Sequence, residues 1–113
     1  MTSALGYARD APSRGAIDAL PGPVMLEFGT DWCGFCRASA PIIAKALAPH
    51  PAIQHFKVED GPGRALGRSF QVKLWPTLIF LIDAKEVKRL VRPTEGVTLA
   101  QALEAIDPVG PGH

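Results

Sequence analysis

Apolar residues along the chain gather in short runs whose period changes from segment to segment. Val24-Met25-Leu26-Glu27-Phe28 is nearly continuous in apolar character and is bounded by Pro21-Gly22-Pro23 and Gly29, which suits a strand covered on both faces. Glu27 is the exception within it. From Cys33 to Ala48, Cys36, Ala40, Ile43, Ala44 and Leu47 recur at intervals of three and four, as one face of a helix requires. Pro41 falls inside that helix, where its missing N–H and its ring should kink the axis, and Pro49 and Pro51 end it. Ile53 to Val58 reads as a second strand, and Pro62 to Phe70 as a short helix with Pro62 near its first position. Thr77 to Ile82 is a third apolar strand, and Asp83-Ala84-Lys85 joins it to Glu86 to Val91, whose mixed pattern suits a partly exposed edge. Thr98 and Gln101 have capping-box spacing ahead of Leu99, Leu103 and Ile106, which predicts a last helix stopped by Pro108.

The order β, α, β, α, β, β, α, without an internal repeat, predicts an α/β fold: a central mixed sheet flanked by helices on both faces. Residues 1–15 read as a loose arm, residues 16–108 as the domain and residues 109–113 as a Gly- and Pro-rich tail. Within Met1 to Pro23 only Ala16 to Leu20 offers a short helix. A chain of 113 residues supports one domain with its own core. Nearly half its residues are apolar and a fifth are charged, an ordinary globular composition. The net charge of +1 gives no reason to expect nucleic acid or an acidic membrane as partner. Neither a secretory leader nor a membrane-length apolar run is evident, so the expectation is a soluble, cytoplasmic monomer.

Only two cysteines are present, Cys33 and Cys36. A disulfide between them closes a loop too small to restrain much of the unfolded chain, which argues against a structural staple. A structural zinc site needs about four ligands, and His50, His55 and His113 show no matching spacing. No metal is expected within one chain. The pair follows an apolar strand and opens an amphipathic helix, so Cys33 should meet unpaired backbone N–H groups and the positive end of the helix dipole, both favourable to an anion. The thiolate is the attacking species. Cys33 is therefore the expected nucleophile, and Cys36, one turn further in, the shielded resolving thiol.

Leu26-Glu27-Phe28-Gly29-Thr30-Asp31-Trp32-Cys33-Gly34-Phe35-Cys36 resembles the active-site strand and turn of thioredoxins, Pro41 their helix-kinking proline, and Trp75-Pro76-Thr77 their cis-proline segment. The resemblance covers about Val24 to Ile106 and implies a thioredoxin fold and thiol–disulfide exchange. It implies a cis peptide bond at Pro76, facing the dithiol, although a proline that merely starts a strand would read the same way. With no N–H on Pro76, the backbone of Trp75 is left to pair with an extended substrate segment. Glu27 falls where thioredoxins carry a buried acid beneath the resolving cysteine, and Lys57 occupies the matching position on the next strand. Glu27 either accepts the Cys36 proton or forms a structural ion pair with Lys57. Trp32 either contacts substrate or packs against the helix start, and Asp31 reads as a solvated charge.

The chain departs from the thioredoxin pattern at Phe35, usually proline, at Trp75, usually aliphatic, and at Arg92, where a glycine usually lets substrate approach. Phe35 leaves the direction of electron flow open, because the residues between the cysteines tune thiolate stability. Arg92 either narrows the substrate range through bulk and charge, or suits an unusual electron donor, or is a surface arginine without a role. Gly34 and Thr77 complete the expected substrate face. The resulting expectation is an enzyme that reduces disulfides in client proteins without a cofactor, fed by a thiol protein or flavoprotein reductase. The alternatives are an interaction module that uses the dithiol as a switch, and an oxidase or isomerase.

Overall fold

The structure is a computed structural model that describes residues 6–108. The tail read at 109–113 lies outside the described residues. Three strands form where the apolar runs predict them: β1 (Pro23–Gly29), β2 (Gln54–Glu59) and β3 (Thr77–Ile82), with β4 (Lys85–Val91) completing the hairpin. The sheet order is β2-β1-β3-β4, with β2 parallel to β1 and the other pairings antiparallel. Four helices are described: α1 (Arg14–Asp18), α2 (Gly34–Leu47), α3 (Ala65–Ser69) and α4 (Gly96–Ile106).

Alternation along the central strands divides the core. Val24, Leu26, Phe28, Ile79 and Leu81 pack with Ile17 of α1 and Leu66 of α3, whereas Met25, Leu78 and Phe80 pack with Ile43 of α2 and with Leu99, Leu103 and Ile106 of α4. Each of these apolar side chains stabilises the fold by roughly 1.5–3 kcal/mol when fully buried. Their sum easily outweighs the cost of the one carboxyl, Glu27, that shares the second face. Among the described residues no helix is long and apolar enough to cross a membrane.

Three sequence expectations need correction. The N-terminal arm is not loose from Tyr7 onward: Ala8 bridges to Val58, donating its N–H to the Lys57 carbonyl at 2.8 Å and accepting from Glu59 N–H at 2.9 Å. This segment therefore covers the open edge of β2. Ser13 then caps α1 by accepting from the Ala16 amide at 3.0 Å, so that helix starts two residues earlier than its apolar positions suggested. At the other end, Thr98 lies inside α4, whose N-cap is Glu95, so the apparent capping box caps nothing.

Candidate active site

β1 delivers the chain to the dithiol, and α2 begins there. Cys33 is the N-cap residue of α2, in extended conformation, and its sulfur accepts the Cys36 amide at 3.3 Å. The sulfur thus occupies the place of a capping oxygen, with a backbone N–H aimed at it. Gly34 is the first helical residue, with open space around it. Cys36 lies one turn in and is buried, as is Cys33 to a lesser degree. Pro41 is inside α2, as its sequence position predicted.

Burial and the neighbouring Cys33 push the Cys36 thiol up to about 11, partly offset by the Thr30 backbone and by contact with the Tyr7 phenol. At neutral pH it is a thiol and needs a base before it can attack. Beneath it lies Glu27, 1% exposed. Both carboxyl oxygens are satisfied: Tyr7 donates its hydroxyl to Oε2 at 2.5 Å, and His55 Nε2 meets Oε1 at 2.8 Å. An unpaired carboxylate so deep would cost several kcal/mol, on the order of a buried charge without partners; these two contacts are what make it tenable.

The alternative reading of Glu27, an ion pair with Lys57, does not form, although the two residues are paired in register across β1 and β2. Lys57 instead places Nζ 4.7 Å from the centre of the Tyr7 ring. Tyr7 and His55 take the carboxyl because each reaches it with a hydrogen-bonding atom, while the lysine finds an aromatic face nearer the surface. Sequence reasoning missed both residues. His55 could have been found from the parallel register, since it lies two positions before Lys57 on the same face of β2.

Above the dithiol, the Trp75–Pro76 peptide bond is cis. The Trp75 indole donates to Asp60 Oδ2 at 2.9 Å and meets Trp32 edge-on, with ring centroids 5.6 Å apart. Trp32 itself is 73% exposed, so it is not simply packing against the helix start. Asp31 accepts the Tyr7 amide at 2.9 Å, which gives that charge a role beyond solvation. Thr77, expected on the substrate face, is buried and donates its hydroxyl to the Leu74 carbonyl at 2.6 Å; it braces the loop that carries Trp75.

Arg92 sits over this surface with positive φ, donating Nε to the Trp75 carbonyl at 2.9 Å and lying 4.1 Å from the centre of the exposed Phe35 ring. The Trp75 backbone, expected from sequence to be free for substrate, is therefore not wholly vacant: one lone pair of its carbonyl is already engaged. Among the described residues no three metal-binding side chains converge.

The thioredoxin family profile matches residues 14–105. The chain belongs to the thioredoxin family. A thioredoxin of Mycobacterium tuberculosis is 35% identical over 89 residues, covering 76% of this chain and 75% of that one. An H-type thioredoxin of Nicotiana tabacum is 35% identical over 68 residues, 60% of this chain and only 54% of its own length. Among solved structures, reduced thioredoxin 2 of Pseudomonas aeruginosa PAO1 is 52% identical and covers 93% of this chain and 97% of that one, with a TM-score of 0.83. Thioredoxins are protein thiol–disulfide oxidoreductases, and this chain carries their Cys33/Cys36 pair at the start of the helix. It is such an oxidoreductase.

Proposed function

We propose that the chain runs as a reductant of disulfides in client proteins. Cys33 attacks a client disulfide as the thiolate, forming a mixed disulfide and releasing one client thiol. Cys36 then attacks Cys33 Sγ, which closes the Cys33–Cys36 disulfide and releases the second client thiol. Two electrons pass from the dithiol to the client. Glu27 takes the proton that Cys36 must lose, and Pro76 and Trp75 bound the groove where an extended client segment lies beside the dithiol.

The observation that carries this reading is the asymmetry of the two sulfurs: Cys33 caps the helix and receives a backbone N–H, while Cys36 is buried one turn deeper above a carboxyl group. Trp32, Phe35 and Arg92 provide the contact surface for clients. A thiol protein or flavoprotein reductase returns the electrons, and no cofactor within the chain is required. The cytoplasm, where thiols are kept reduced, suits electron flow in this direction. We take the working unit to be a monomer.

The test is to assay insulin reduction and to trap clients with Cys36→Ser. The intact dithiol should turn over catalytically, Cys36→Ser should accumulate mixed disulfides at Cys33, and Cys33→Ser should do neither. If the dithiol alters only affinity for a partner and reduces nothing, the exposed Trp32 and Phe35 belong to a redox-controlled interaction module instead.

A further inference from the structure

The mechanism above leaves a gap between the Cys36 sulfur and the Glu27 carboxyl, and Tyr7 fills it. Its hydroxyl donates to Glu27 Oε2 at 2.5 Å. On its other side it faces Cys36. A Cβ placed on Gly29 would lie 2.5 Å from Cys36 Sγ and 2.9 Å from Tyr7 Oη, so sulfur and phenol converge on the space that this glycine leaves open. Tyr7, Cys33 and Cys36 form one buried cluster with Trp75 against it. The ring is held by the Ala8–Val58 bridge, by the Asp31 carboxylate on the Tyr7 amide and by Lys57 on its face.

We propose that Tyr7 relays the Cys36 proton to Glu27: as Cys36 ionises, its proton passes to the Tyr7 hydroxyl oxygen while the phenol's own proton passes to Glu27 Oε2. The phenol is neutral before and after. The new Cys36 thiolate attacks Cys33 Sγ in the mixed disulfide, the Cys33–Cys36 bond forms, and the client sulfur leaves with the bond's electrons and takes a proton from solvent. Glu27 then gives up its added proton toward the cavity of about 280 Å³ that it lines with His55 and Lys57, while His55 keeps its hydrogen bond to Oε1.

Burial, and then the charge and hydrogen bond of Glu27, hold the Tyr7 proton far more tightly than in a free phenol. That excludes a tyrosinate as a free-standing base and fits a group that gives one proton only as it receives another. The titratable groups facing this string are Cys33 at the start of α2, Cys36 and Arg37 within it, His55 and Lys57 from β2, and Asp31 from the turn; β3 brings apolar Leu78 opposite Glu27.

The relay rests on Cys33 attacking and Cys36 resolving, and a single experiment separates the two claims. An aromatic disulfide whose two halves are coloured thiolates releases one equivalent when Cys33 attacks and a second when Cys36 resolves. In Tyr7→Phe the first phase should keep its rate, and the second should slow roughly 10²-fold at neutral pH, in line with the loss of general acid–base catalysis, and recover as pH rises. Tyr7 is the only tyrosine in the chain, so fluorotyrosines incorporated throughout alter this one phenol and leave its packing intact. The second phase should change progressively with the acidity of the fluorinated phenol. A second phase indifferent to both fluorination and loss of the hydroxyl, at every pH, overturns the relay. Absence of the first phase in the unsubstituted protein overturns the reading of Cys33 itself.

Discussion

The two sides of the dithiol are built on opposite terms. Below Cys36 the neighbours are polar and satisfied: Tyr7 and Glu27, both buried, and the partly exposed His55 form a continuous hydrogen-bonded string inside an otherwise apolar layer. Around Cys33 the neighbours are aromatic and open to solvent, with Trp32 and Phe35 mostly exposed and Arg92 laid across Phe35. The lower side has one arrangement and little room. The upper side offers area and contact without fixing a single partner. Proton handling demands fixed geometry, whereas recognition of varied polypeptides does not, and the two needs are met within one helical turn of each other.

Gly29 leaves the space in which Cys36 and Tyr7 meet on the lower side, so filling it is the severest way to break the contrast. In Gly29→Ala the new methyl group must displace Cys36 Sγ or the Tyr7 phenol, and we expect a loss of about 1–3 kcal/mol, typical of overpacking. Denaturant midpoints measure this, and a midpoint equal to that of the parent would mean that the string is loose rather than fixed. On the upper side the effects should be smaller. Arg92→Ala uncovers Phe35 and frees the Trp75 carbonyl, contacts a client must otherwise displace; KM for a protein client should fall by about two- to fivefold, the equivalent of one exposed cation–π contact. A rise in KM would show that Arg92 attracts clients instead.

The last test, spread over a range of pH, sharpens the lower side alone. The folded Cys36 thiol is held up to about 11, while in the unfolded chain it titrates near about 8.5. Between those values the folded state keeps a proton that the unfolded state has lost, so stability falls as pH rises through the window. The disulfide form has no thiol to titrate. Melting temperatures of the reduced protein should therefore decline relative to the oxidised protein from about pH 8.5 upward, and parallel curves for the two forms would remove the claim that Cys36 is deprotonated reluctantly.

Much of this arrangement is written in local pattern. The apolar runs of β1 and β3 and the helical spacing of α2 are strong because their side chains face covered surfaces, and they fixed where Cys33 and Cys36 would stand. The start of α4 was misplaced because Thr98 and Gln101 mimic a cap, while the real boundary follows Glu95, whose side chain makes no capping bond. Tyr7 was invisible for a different reason. It stands alone among Gly, Arg, Asp and Pro, and its burial comes from one bridge to a strand some fifty residues away, which no local period encodes. His55 and Lys57 could be told apart only by reach: register brings both to the Glu27 face, and side-chain chemistry decides which one bonds.

The chain has two tryptophans, Trp32 and Trp75, and they touch each other beside the dithiol. Its indole fluorescence therefore originates wholly at the place where electrons are exchanged, undiluted by emitters elsewhere. Whatever oxidation does to the surroundings of these two rings is reported by all of the indole emission, without attaching a dye.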